Sequence, residues 1–430
     1  MLLALTLLPW WLAGCLVTPM PDESLAAGLL ETAPAEPFVP HRFVLQDDTQ
    51  VVGRLYYTRV QAEQTLLDIA RAYGLGYEEI RSANPGVDPW TPVTGERVLL
   101  PLAHVLPDAP REGIVINLAA RRLFHYRPGE SGAPTEVVTH PIGIGREGWS
   151  TPLGQFRITE RREGPAWTVP ASIRREHAAR GDPLPAVVPP GPDNPLGSHA
   201  LRLDWSSILI HGTNKPAGIG MRVSHGCIQL YPEDIEALFA AAPEGTRVWV
   251  VDQPWLAGFG AEGLVLEAHP PASAAGTKVR ARTVLERALQ ESSQRTPLDW
   301  QRIRELSAER PGYPLPVAVD APDRDTWLAG LPEAPLLEPP AATPGPGGEW
   351  FVDLGQFEHE RAARRLVAML RFQGPAIPAF RQPRDEEFQV LAGPWPTRVE
   401  AAAAARRIAR DLETEGRVVQ LREAELSARL

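Results

Sequence analysis

Proline and glycine set the first limit on this chain: 46 prolines and 36 glycines stand among 430 residues, about a fifth of the total. Proline fixes φ and removes a backbone donor, and glycine raises the entropic cost of order, so text rich in both interrupts helices and sheets. A chain longer than one ordinary domain with such punctuation implies compact modules joined by irregular segments. Residues 15–54 are rich in Pro, Ala and acidic residues without periodicity and are expected to be a tether. Residues 253–348 are dense in Pro and Ala. They read as a short extension followed by linker, with possible helices over 279–291 and 298–309. The net charge of −10 argues against nucleic acid as the main partner. Hydrophobic residues make up 43%, which excludes wholesale disorder. Cys15 and Cys227 are the two cysteines, too few for a disulfide scaffold or a cysteine-rich zinc module.

The apolar run over residues 2–17 is shorter than the roughly 20 residues a membrane-spanning helix needs, so a signal peptide over 1–14 is the expectation. No Lys or Arg precedes Arg42, so the basic start of such a peptide is missing from the text. The run contains Leu12-Ala13-Gly14-Cys15. This resembles the bacterial lipobox, in which the cysteine sulfur receives a diacylglycerol. The resemblance implies a lipid anchor at Cys15, and Leu16, where an Asp would retain the protein at the inner membrane, implies the outer membrane of a Gram-negative cell. Several acyl chains would be required for stable attachment, since one binds only marginally.

Residues 55–102 read as strand, helix, helix, strand. Thr65 is a helix N-cap with Asp68 three residues on, and Leu66, Ile69, Ala70 and Tyr73 follow at helical spacing. Asn84-Pro85-Gly86 breaks a second short helix, and Arg97 to Leu100 form a strand. The order, with the text YEEIRSANPGVDPW, resembles the lysin motif (LysM), a family that binds N-acetylglucosamine-containing glycans. Residues 349–424 alternate again. Trp350, Val352 and Leu354 share one strand face, Ala362, Leu366, Met369 and Leu370 one helix face, and Thr397 with Glu400 forms a capping box. This resembles the SPOR domain, a ferredoxin-like βαββαβ unit that binds glycan strands stripped of stem peptides.

Residues 111–252 read as mainly β. Strands are expected at 114–118, 122–126, 136–140, 154–159, 199–203, 208–211 and 247–251, with one helix over 232–242. Cys227 follows Ser224-His225-Gly226 and lies sixteen residues after His211. A free thiol with a pKa near ~8.5 is mostly protonated at neutral pH, so a nucleophilic cysteine needs an imidazole to take its proton. His211, at the end of a strand whose neighbour can bring it opposite the sulfur, is the expected base. The Gly212 carbonyl is placed to hold its other ring nitrogen. The N–H groups of Gly226 and Cys227 could line an oxyanion hole. His211, His225 and Cys227 could also ligate zinc, but an Asp or Glu to orient a ligating histidine or to serve as base would then be expected, and residues 211–227 contain none. The expectation is no metal and no cofactor. His125, His140, His177 and His199 are expected on the surface or in strand packing; Trp149 and Trp167 could line the cleft, with core packing the leading expectation.

The stretch ILIHGTNKPAGIGMRVSHGCIQLYPEDIEALF resembles the catalytic signature of the L,D-transpeptidases, whose domain is of the YkuD type. The match extends through GREGWSTPLGQFRI and DNPLGSHALRL to VLEAHPP, about three-tenths of the chain. The resemblance implies a β-sandwich-like core, a nucleophile at Cys227, a proton acceptor at His211, and supporting roles for Gly212, Ser224, His225 and Gly226. It also implies a reaction: attack on peptidoglycan stem peptides at their third residue, release of D-alanine, and transfer of the thioester to an amine on a second stem or on a wall-attached protein. Gln229 stands where the family most often has arginine, which removes a permanent charge. Arg222, Gln229 and Asn214 are the expected substrate contacts. Three alternatives are separable. Water as acceptor would make the same site an L,D-carboxypeptidase, and a non-catalytic wall-anchoring lipoprotein would show no Cys227-dependent turnover. Papain-like wall amidases place cysteine before histidine in the chain, the reverse of the order here.

Overall fold

The computed structural model describes residues 38–129, 134–179, 181–205, 208–292, 295–340 and 347–421. Cys15 and the signal-like segment lie outside the described residues.

Nine strands form one continuous sheet. Its order is Arg42–Val44, Pro134–Pro141, Arg122–Pro128, Gly113–Asn117, Arg247–Val251, Gly154–Glu163, His199–Leu203, Leu209–His211 and Ile228–Gln229. Gly113–Asn117 pairs in parallel with Arg247–Val251, and Leu209–His211 with Ile228–Gln229; the other neighbours are antiparallel.

The ten-residue strand Gly154–Glu163 is the corner of this sheet. Its first four residues pair with Arg247–Val251 and its later ones with His199–Leu203, with a register break between Ile158 and Glu160. Such a break bends a strand and lets it serve two sheet layers. Accordingly Ile114, Ile116 and Leu123 from one half share a buried cluster with Leu201, Leu203, Ile210 and Ile228 from the other. Helix Pro232–Ala241 completes that core with Ile235 and Leu238. Pro232 at its first turn costs no hydrogen bond, because that N–H has no helical partner anyway.

The stretch read as tether is folded in its last part. Arg42–Val44 extends the nine-stranded sheet along Pro134–Pro141, and Val51–Gly53 pairs with Ala103–Val105. Three-residue strands are too short to leave a periodicity in the sequence; pairing partners distant in the chain create them.

The Pro- and Ala-rich stretch after residue 252 is also folded through most of its length. Trp255–Gly260, Gly263–Ala268 and Leu315–Pro316 form a three-stranded sheet, covered by helices Ala281–Ser292 and Trp300–Glu309. Its core contains Leu264, Leu266, Leu285 and Ile303, and Leu55, Leu99 and Ala103 of the preceding module pack into the same cluster. That module has the expected strand, helix, helix, strand order: Tyr56–Arg59, Leu66–Ala72, Tyr77–Ala83 and Arg97–Leu100, with a reciprocal capping box between Thr65 and Asp68. Residues 332–335 clip onto its edge strand, with the Tyr57 N–H donating to the Pro332 carbonyl and the Ala334 N–H to the Tyr57 carbonyl. A buried ion pair between Arg122 and Glu79, 2.8 Å, joins it to the nine-stranded sheet.

The C-terminal module is strand, helix, strand, strand, helix, strand: Trp350–Phe357, Glu360–Arg371, Ala379–Arg384, Glu387–Trp395, Arg398–Leu412 and Arg417–Gln420. Its four strands order as 379–384, 387–395, 350–357 and 417–420. Both helices pack on a cluster that includes Val352, Leu366, Val390 and Ile408. Helix Glu360–Arg371 faces the N-terminal module across a row of ion pairs: Arg361 and Arg365 to Asp88, and Arg371 to Asp68. Among the described residues no helix is long and apolar enough to cross a membrane.

Candidate active site

Two parallel strands at the edge of the sheet carry the site. Ile210 is registered with Ile228 and His211 with Gln229, so one step back along the same register Leu209 lies beside Cys227. Side chains alternate across a strand, and register partners point the same way. Ile210 and Ile228 are fully buried in the core cluster. The opposite face therefore carries Leu209, His211, Cys227 and Gln229, and all four line one large cleft. Strand pairing brings the imidazole and the thiol to one face of the pair, although fifteen residues of chain separate them.

His211 is 3% exposed. Its Nδ1 is 2.6 Å from the Gly212 carbonyl oxygen; a carbonyl only accepts, so the ring proton resides on Nδ1 and Nε2 is left unprotonated. Burial pushes the ring pKa down to about 4, against the upward pull of the Gly212 and Leu196 carbonyls. The Cys227 thiol is half-buried, and desolvation pushes its pKa above the ordinary value while a backbone hydrogen bond with Leu209 pulls the other way. Both shifts favour the uncharged forms. The resting pair is thiol and neutral imidazole.

The turn before the cysteine is held from within. Ser224 Oγ donates to the Cys227 carbonyl at 2.6 Å and accepts from the Gly226 N–H at 3.2 Å, while Thr151 Oγ1 donates to the Gly226 carbonyl at 2.9 Å. The Gly226 N–H is thus committed to Ser224, which corrects the expectation that it lines an oxyanion hole. Gly226 has φ +102°, a backbone conformation that side chains disfavour, and this is what requires glycine there.

His225 belongs to a separate network. Arg146 donates to its Nε2 at 2.9 Å, and the same guanidinium holds Glu176 at 2.6 Å. Trp149 packs edge-on against the ring, 4.8 Å between centroids. Nε2 also lies 3.4 Å from the Glu176 carboxylate; the shorter contact, from a guanidinium that only donates, assigns the proton of the neutral ring to Nδ1. Burial, followed by the Arg146 charge, lowers the His225 pKa. Sequence reasoning missed Arg146 and Glu176. Arg146 sits inside the quoted GREGWS text, and Glu176 lies on helix Ala171–Ala179, of which only Ile173 is buried, too little to leave an amphipathic pattern.

Of the expected substrate contacts, Gln229 and Asn214 line the cleft. Asn214 Nδ2 donates to the Asp193 carbonyl at 3.1 Å. Arg222 does not line it; its guanidinium donates to the Ala272 carbonyl at 3.1 Å, on another side of the strand Arg222–Ser224. Trp149 and Trp167 line the cleft and are not in the core. His125 and His140 are buried, and His199 stacks on Phe239 at 4.5 Å. No group of three or more His, Cys, Asp or Glu among the described residues is placed to hold a metal ion.

A buried strand-borne imidazole beside a half-buried thiol in an open cleft defines a cysteine-nucleophile enzyme of the acyl-transfer class. Residues 111–250 match the YkuD family, the L,D-transpeptidase catalytic domain, and residues 346–419 match the SPOR domain. The chain is 43% identical over 231 residues to Probable L,D-transpeptidase YcfS of Escherichia coli (strain K12), covering 52% of this chain and 71% of that one. It is 40% identical over 277 residues to Probable L,D-transpeptidase YbiS of the same strain, 63% of this chain and 89% of that one. Probable L,D-transpeptidase ErfK/SrfK of Salmonella typhimurium (strain LT2) is 39% identical over 276 residues, 60% of this chain and 84% of that one. The chain belongs to the L,D-transpeptidase family.

Proposed function

We propose that this protein is a peptidoglycan L,D-transpeptidase with Cys227 as nucleophile and His211 as base. The supporting observation is the register of the two edge strands, which puts sulfur and imidazole on the same cleft-facing side. The Cys227 thiol passes its proton to His211 Nε2 as sulfur bonds to the carbonyl carbon of the third stem residue. The tetrahedral adduct collapses, the bond to the terminal D-alanine breaks, and His211 returns the proton to the departing amine. An amine of a second stem, or of a wall-attached protein, then attacks the thioester. It loses a proton to His211, and the thiol is restored. One amide replaces another, so no nucleotide or cofactor enters.

The flanking modules fit wall attachment. The SPOR match supports binding of glycan strands without stem peptides, and the strand, helix, helix, strand module supports a LysM reading with N-acetylglucosamine-containing glycan as ligand. Such tethering raises local substrate concentration without adding a contact at the sulfur. The reading places the enzyme in the periplasm, with Cys15 acylated and held in the outer membrane.

Purified protein incubated with tetrapeptide muropeptides tests the reaction. Cys227-dependent loss of one alanine mass with appearance of a 3-3 crosslinked dimer supports the reading, alanine loss with no crosslinked product makes the protein an L,D-carboxypeptidase instead, and an unchanged spectrum overturns both.

A further inference from the structure

The cleft has a cationic corner built by two modules. The turn Phe372 to Pro375 of the C-terminal module lines the cleft together with Asn214 and Lys215 of the catalytic module. The fit is close: a Cβ on Gly374 would fall 2.2 Å from both the Asn214 carbonyl oxygen and Lys215 Cγ. From the other side, Arg407 of helix Arg398–Leu412 donates to the Pro375 carbonyl at 2.6 Å. One turn of chain therefore separates Lys215 from Arg407, and both line the cleft that contains Cys227.

Neither cation has an ion-pair partner among the described residues, whereas its neighbours do. Arg202 is held by Glu160 at 2.9 Å, and Arg410 by Asp182 at 2.8 Å. Arg407 is half-buried, and its Nε is buried without a hydrogen-bond partner. Burial lowers its pKa, and the acids that act on it, Asp411 and Asp193, do so without forming an ion pair. Among the described residues the cleft is lined by five Arg and Lys side chains against three Asp and Glu, in a chain whose net charge is −10. An underpaired guanidinium and an ammonium lining one cleft together favour a carboxylate, which takes a charge-assisted hydrogen bond from the one and a point charge from the other.

We propose that Lys215 and Arg407 together receive a carboxylate of the acyl-donor peptide, so that the C-terminal module contributes a specificity-determining residue to the catalytic cleft. This rests on the transpeptidase reading above. The arrangement also gives a task at this site to a side chain that lies outside the catalytic domain.

The test uses the full chain and two donors, a stem tetrapeptide with free carboxylates and its carboxamide counterpart, with kcat and KM measured separately. The unmodified protein should prefer the free acid by about tenfold or more in kcat/KM, mostly through KM. R407Q and K215Q should each bring that preference toward one, and R407K should keep a part of it. A folded R407Q and K215Q that both retain the full preference would overturn the proposal. Lys215 follows the strand in a turn, so K215Q decides the matter should R407Q fail to fold. Cys227-dependent turnover of both donors without preference in the unmodified protein overturns this inference alone. Turnover of neither donor removes the transpeptidase reading and this inference with it.

Discussion

The strand pair carrying His211 and Cys227 and the turn carrying His225 lie within twenty residues of each other, yet they solve opposite problems. His211 is sealed into the sheet edge, with one nitrogen held by the Gly212 carbonyl and the other kept as acceptor. His225 also lines the cleft, its ring held by Arg146, which in turn holds Glu176, and packed against Trp149. The first environment tunes a proton acceptor. The second fixes the path of the chain that presents the sulfur. Proximity in sequence to a nucleophile is therefore a poor guide to chemistry, and shared register across a sheet is a better one.

Substitutions can break this contrast. C227A should abolish thioester formation, a loss of at least ~10⁴-fold read by intact-protein mass after incubation with donor. H211N keeps a similar shape and removes the base, so acylation should slow by about 10²- to 10⁴-fold. H225A should cost less than about tenfold in acylation and show mainly as a lower melting temperature. Equal losses in H211N and H225A would refute the division of roles.

Acidity sharpens the same comparison. With the His211 pKa at about 4, the acid limb of the acylation rate should lie near pH 4 and not near the ordinary imidazole value of about 6.5. A half-maximal rate near 6.5 would mean that a different, more exposed imidazole is the base. The stability consequence has a definite sign. Between about 6.5 and 4 the unfolded chain binds a proton at His211 that the folded chain refuses, so stability is full above this window and falls as pH drops through it. His125, also lowered to about 4 by burial, adds to the slope in the same direction. H211N should flatten part of it in denaturant titrations. The smallest effect expected is that of S224A. It leaves the Gly226 N–H without its acceptor and should cost about 1 kcal/mol in stability, with a rate loss of roughly tenfold or less.

The two halves of the catalytic module were unequally legible in the sequence. Strands such as 199–203 and 247–251 show hydrophobic alternation, and the structure places them there. Strand 154–163 runs four residues past its expected end, because the pairing with His199–Leu203 extends it through the bulge at Ile158 and Glu160. His211 and Cys227 could be paired from their spacing and the strand before each. The direction of Arg222 could not, since the Ala272 carbonyl that holds it arrives from fifty residues further on. The stretch after residue 252 was misread for a related reason. Its prolines mark turns between short elements, and what makes those elements fold is a core shared with residues 55–103, a contact that no local window contains.

That shared core has a practical consequence for anyone dissecting the protein by truncation. Excising residues 55–102 would strip Leu55 and Leu99 from the far side of Leu264 and Leu285 and leave the 332–335 clip with no strand to grip, so the defect observed would belong to a neighbour that had come apart. Point changes on the exposed surface of an intact chain, and not shortened versions of it, are the instrument suited to asking what each module contributes.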